Sequence, residues 1–95
     1  MQQGQRQLGT GVSTIASNST VTLATLTRHA NECLSMLYFA LDNTAGLRFG
    51  ADISDGISLW LERTAVQDQF VLMGHNEDNH SDHTVQWCII GVIPT

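Results

Sequence analysis

The stretch Leu47–Arg63, LRFGADISDGISLWLER, alternates apolar and polar side chains on both sides of a Ser54-Asp55-Gly56 turn signal. A period of two puts one set of side chains on a single face of a strand, whereas a helix would scatter them around its axis. Register then decides the turn. A two-residue loop would set Ile53 against Ser58, an apolar face against a polar one. A three-residue loop pairs Ile53 with Ile57, Ala51 with Leu59 and Phe49 with Leu61, with Gly56 at the left-handed position that glycine fills at low strain. The same antiparallel register sets Arg48 against Glu62, an opposite-charge pair contributing about 0.2–1 kcal/mol.

The remaining apolar runs extend this pattern. Cys33–Leu41, CLSMLYFAL, is apolar on both faces. As a strand it pairs Leu41 with Leu47, Phe39 with Phe49 and Leu37 with Ala51. Helical spacing over residues 28–41 is the competing reading, because short apolar runs fit both periods. Thr20–Leu26 alternates, with a slip after Leu23. Residues 69–74 and 84–93 are apolar at adjacent positions and read as strands covered on both sides. The expected fold is all-β, a small antiparallel β-sandwich or barrel of about six strands. Residues 1–19, rich in Gln, Gly and Ser with Leu8, Val12, Ile15 and Ala16 as apolar anchors, are expected as an extended polar arm ahead of a single β domain at 20–95.

Charge narrows the partners. Charged residues make up 14% of the chain, against about 25% in ordinary domains. There is no lysine, four arginines and a net charge of −5. Phosphate-backbone recognition needs clustered cations, so no nucleic-acid partner is expected. No run approaches the roughly 18 apolar residues of a membrane span, and no signal-peptide pattern opens the chain. Cys33 and Cys88 read as free buried thiols, with a bridge open only in an oxidising setting.

The segment His75–His83, HNEDNHSDH, holds three of the four histidines among Glu77, Asp78 and Asp82. Zinc sites need three or four converging ligands, and none of the familiar ligand spacings occurs here. A His-x-Glu is present without the Pro-Cys-x-x-Cys half of a deaminase, and neither a nucleophile elbow nor a phosphate-binding glycine loop is found. The segment is expected to be a solvated hairpin tip with a pH-sensitive charge. No catalytic residue, metal or cofactor is expected. Cys33, Trp60 and Cys88 lack the immunoglobulin spacing, and Gln86 stands where that family's corner tyrosine belongs.

Carried through both registers, the hairpin sets Tyr38 opposite Gly50 and Gly50 opposite Trp60, with Met36 alongside. This is an aromatic patch rimmed by Arg48, Glu62 and Asp52, the anatomy of a binding surface. An acidic, lysine-free, all-β chain with a polar arm, a spare apolar face and a doubly apolar last strand resembles the small decoration (cement) proteins of tailed-phage capsids. That resemblance implies a β-rich, often trimeric protein that clamps neighbouring capsid subunits with extended termini. The expectation is a non-enzymatic structural protein of the virion. Its partners are copies of itself and a capsid or other shell protein, held through Met36, Tyr38, Trp60, Arg48, Glu62 and the arm residues Leu8, Val12 and Ile15. The alternative is a β-sandwich binding module that recognises a glycan or a protein through the aromatic face or the 75–83 loop.

Overall fold

A computed structural model of the chain describes residues 4–50 and 56–93. The apolar periodicities become seven strands among those residues: β1 (Gly4–Ile15), β2 (Ser19–Thr27), β3 (Cys33–Ala40), β4 (Arg48–Phe49), β5 (Gly56–Arg63), β6 (Gln69–Asn76) and β7 (His83–Ile93). They form two sheets, β1-β7-β3 and β2-β6-β5-β4, antiparallel except for β4 with β5. The fold is all-β, and residues 33–40 are extended, which removes the helical reading.

Each sheet buries one face against the other. Ile15, Val85, Trp87 and Ile89 from the first sheet meet Leu26, Ile57, Leu59 and Leu72 from the second in one shared core. Alternation is cleanest in β6, where Phe70, Leu72, Gly74 and Asn76 are buried and Gln69, Val71, Met73 and His75 are half-exposed. The slip after Leu23 is a β-bulge between Thr22 and Ala24 opposite β6. Such a bulge turns the following side chains back toward the core. A second bulge, between Gln7 and Gly9, lets Leu8 pack against the core from β1.

Strand pairing departs from expectation in four places. Residues 4–15 of the expected arm are a full strand, paired with β7 from Gly4↔Ile93 to Ile15↔His83. The glycines that suggested flexibility serve packing instead: a Cβ on Gly11 would come within 2.7 Å of the Trp87 indole. Secondly, β3 pairs with β7 and not with β4, in the register Leu37↔Cys88 and Phe39↔Gln86. Phe39 and Phe49 do meet, but by ring stacking at 5.1 Å across the side of the sandwich.

Thirdly, the hairpin expected at 47–63 is replaced by a parallel contact, Arg48↔Gly56 and Phe49↔Ile57, so Phe49 is not opposite Leu61 and Arg48 is not opposite Glu62. Ala51–Asp55, including most of the proposed turn, lie outside the described residues; Gly56 opens β5. Finally, β6 and β7 belong to different sheets, so residues 77–82 are a crossover and not a hairpin tip. The adjacent antiparallel hairpin is β5–β6, closed by residues 64–68 with Asp68 at φ 60°.

Candidate functional site

The corrected register of β3 redistributes the expected binding surface. Met36 and Tyr38 point inward and pack against the core, and Ile15 is fully buried within it. Leu8 also packs inward. Trp60 and Glu62 do face outward, on the opposite sheet, where the indole Nε1 donates to Glu62 Oε1 at 2.8 Å. Arg48 is exposed on β4. Of the eight expected docking residues only Val12 lies on the outer face of β1-β7-β3, at 58% exposure.

That outer face gathers most of the large exposed apolar side chains among the described residues; Val66, 59% exposed in the β5–β6 connection, stands apart. Leu37 is 61% exposed, Phe39 68% and Leu41 54%, and all three share the outward parity of Val12. The ladder aligns Val12, Gln86 and Phe39 in one row across the sheet, and Thr10, Cys88 and Leu37 in the next. A shallow groove runs beside β7 between these rows, lined by Thr10, Leu37, Phe39, Gln86 and Cys88. No outward position of β1, β7 or β3 among the described residues carries a charge. Both cysteines are free thiols on this sheet; Cys33 is exposed and Cys88 half-exposed, against the expectation that they are buried.

Phe49 bears on how this face can be used. Its ring stacks on Phe39 and meets Tyr38 edge-on at 5.7 Å. Tyr38 and Phe39 point to opposite faces of one strand, so a ring touching both lies beside the strand's free edge. Covering an edge in this way blocks strand addition. The face is open while its β3 edge is guarded.

The histidine-rich segment keeps Glu77, Asn79, His80, Ser81 and Asp82 exposed, as expected of a solvated loop, but is built around three buried polar side chains. Asn76, Asp78 and His83 are each at most 6% exposed. The Asn76 amide donates to the carbonyls of Ile15 (3.0 Å) and Ser81 (2.9 Å), while its Oδ1 accepts from Asp78 N–H (2.9 Å). His83 Nε2 lies 2.8 Å from Asp78 Oδ2, and Nδ1 lies 2.7 Å from Asp42 Oδ2. Carboxylates at both ring nitrogens favour the imidazolium, which alone can donate from both. Burial pulls its pKa down, but the hydrogen bonds it donates to Asp78 and Asp42 outweigh burial and the value lies above the ordinary one. The Thr44 hydroxyl, followed by His83, holds Asp42 low; for Asp78 the His80 N–H and then His83 do so. As the imidazolium, His83 has both ring nitrogens occupied by hydrogen bonds to carboxylates. It ties the β3–β4 connection to the β6–β7 crossover.

A second ion pair closes the other end. Glu32, fully buried, accepts from Arg6 Nε and Nη2 at 2.9 Å each and from His29 N–H at 2.9 Å. The Arg6 fork is the main cause that lowers the Glu32 pKa to about 2, against the opposing effect of burial. Gly91 makes the room, since a Cβ there would fall on the Glu32 carboxylate.

On the outer face of the other sheet, Thr20 Oγ1 lies 2.7 Å from His75 Nδ1, and His75 Nε2 meets the Glu77 carboxylate. The order hydroxyl, imidazole, carboxylate is that of an activated nucleophile. His75 is 27% exposed and Glu77 45% exposed, so the three form a water-contacting cross-strand polar pair with a carboxylate attached. Among the described residues no group of three or more His, Cys, Asp and Glu side chains converges to hold a metal.

Comparison with protein-family models, with curated proteins and with solved structures finds no match to this chain. No helix among the described residues is long and apolar enough to cross a membrane.

The sequence reading missed Leu37, Phe39, Leu41 and Phe49. A signal was present in Cys33–Leu41: a strand apolar on both faces has one apolar face more than a two-layer sandwich can bury.

Proposed function

We propose that this protein is a non-enzymatic structural component that joins a larger assembly through the outer face of its β1-β7-β3 sheet. The observation that carries the reading is the location of its exposed apolar side chains. Val12, Leu37, Phe39 and Leu41 stand on that one uncharged face, with Phe49 packed against its margin. Charge depletion around aromatic and aliphatic anchors is the composition of an interface core. The rest of the described polar machinery, around Glu32 and His83, is satisfied internally and holds the sandwich rigid.

The resemblance to capsid decoration proteins makes a virion shell the setting of this proposal, with this sheet face taking the docking role expected of the N-terminal arm and of the Met36, Tyr38 and Trp60 face. The alternative, a module that binds a glycan or protein through an aromatic platform or the 75–83 loop, draws less support. Tyr38 and Trp60 lie on different sheets, and the loop's polar groups are largely bonded to their own chain.

Sedimentation of gently prepared extracts of the producing cells tests the proposal. The wild-type protein is expected in particles many times its 10.4 kDa, and a Leu37→Gln/Phe39→Gln variant outside them. A wild-type protein no larger than a pair of chains in such extracts would overturn it.

A further inference from the structure

We propose that the outer face of β1-β7-β3 is a two-fold interface between two copies of this chain, with the Leu37–Phe39 ridge of each copy resting on β1 of the other. The inference rests on the reading above, that this face docks, and names the first partner as a second copy.

Charge argues for self-contact here. Each chain carries a net charge of −5, so two copies repel wherever carboxylates would meet. The outward positions of this sheet carry no charge among the described residues, so two copies can approach there without opposing like charges. The guarded β3 edge points the same way. Phe49 lies alongside Tyr38 and Phe39, which obstructs strand addition at the β3 edge, the edge next to the exposed Leu37 and Phe39, and leaves their flat face for contact.

The relief of the face selects the symmetry. Large side chains, Leu37 and Phe39, stand on β3 at one margin, and the smaller Thr10 and Val12 stand in the same two rows on β1 at the other. Between them the groove beside β7 has Cys88 and Gln86 in its lining. A two-fold axis across the strands would stack ridge on ridge. An axis along β7 lays β3 of one copy over β1 of the other, so Phe39 meets Val12, Leu37 meets Thr10, and Cys88 approaches its own mate near the axis. Such a contact is isologous and closed, so this interface stops at two copies, and the pair is the unit that enters the larger assembly. It is also the aligned mode in which sheets pack face to face, at roughly 10 Å separation.

Size sets the strength expected. Three strands about 4.8 Å apart and about nine residues long present roughly 15 by 30 Å in projection. Side-chain relief raises that toward roughly 600 Å² a side, the low end for specific contacts. The dimer should therefore be reversible and concentration-dependent.

Sedimentation equilibrium of the purified chain, from low micromolar to near-millimolar concentration, tests this. Wild type is expected to rise from 10.4 kDa toward twice that mass. Phe39→Gln should stay monomeric across the range, and Trp60→Gln, on the opposite sheet, should dimerise like wild type. Near-ultraviolet circular dichroism checks that each variant is folded. In a Cys33→Ser background a short bismaleimide should link two chains through Cys88, and Phe39→Gln should abolish that link.

A wild type that remains monomeric overturns the inference, as does a dimer that survives Phe39→Gln or fails to cross-link through Cys88. The two proposals fail separately. A monomer in purified form that still enters large particles in extracts sinks only the self-contact. A Phe39-dependent dimer that stays a dimer in extracts sinks only the larger assembly.

Discussion

Gly11 lies directly across the β1–β7 ladder from Trp87, and the indole ring occupies the space a Gly11 side chain would need. A Cβ on Gly11 would lie 2.7 Å from Cζ2, and one on Gly9 would lie 3.5 Å from Cζ3 of the same ring. The Trp87 Nε1 reaches Ser13 Oγ at 3.3 Å, so the ring's polar end is also served by β1. The Gly- and Ser-rich opening of the chain is a bed for one large side chain. Gly11→Ala should destabilise the fold by about 1–3 kcal/mol through overpacking, measured by urea unfolding. Trp87→Ala should cost about 3–5 kcal/mol by leaving the bed empty.

The same relationship predicts the consequence of truncation. β1 supplies Ile15, with no solvent exposure, and a full ladder to β7. Removing residues 1–15 opens the core and strips β7 of one neighbour. The truncated chain should lose its cooperative thermal transition. A truncated domain that melts cooperatively near the wild-type temperature would show that β1 is an appendage after all.

These predictions concern a strand that composition misread, whereas the other strands were legible. Periodicity is local, so it located β2, β3, β5, β6 and β7 and even the bulge at Leu23. Pairing is not local. Arg48 and Phe49 meet β5 in parallel, and β3 crosses to β7, because the partner of a strand depends on which sheet it joins. Parity failed in β3 for a related reason. Leu37 and Phe39 are as apolar as Met36 and Tyr38, so nothing in CLSMLYFAL distinguishes inside from outside. Composition misled in β1, where Gly9 and Gly11 looked like flexibility but make space for Trp87. Around His83, no ligand spacing pointed to the cluster, because Asp42 lies 41 positions away and no spacing rule could have joined it to the histidine.

The Glu32 clamp gives a prediction in which geometry outranks charge. Arg6 grips both oxygens of Glu32 through its planar fork. Arg6→Lys keeps the charge but offers one ammonium in place of two directed donors, so the melting temperature should fall. Glu32→Gln should lower it further, because the amide presents donors toward Arg6 where acceptors are needed. A lysine variant as stable as wild type would show that the fork geometry contributes nothing.

His83, Asp42 and Asp78 predict a stability optimum in pH, and the sign follows from the shifts. The raised His83 pKa contributes stability that is complete below the unfolded value of about 6.5 and is lost as pH rises through the higher folded value. The lowered Asp42 and Asp78 values contribute stability that is complete above about 3.9 and is lost as pH falls through the folded values. Glu32, held at about 2, adds to the same acid limb. Melting temperature should therefore be highest between roughly pH 4 and 6.5 and decline on both sides. His83→Gln should lower the maximum and flatten the alkaline limb, since the neutral amide has no proton to lose there. The acid limb should remain through Glu32, whose partner Arg6 is untouched. If the alkaline decline persists unchanged in His83→Gln, its origin lies outside this buried cluster and the imidazolium between two carboxylates does not hold the crossover in place.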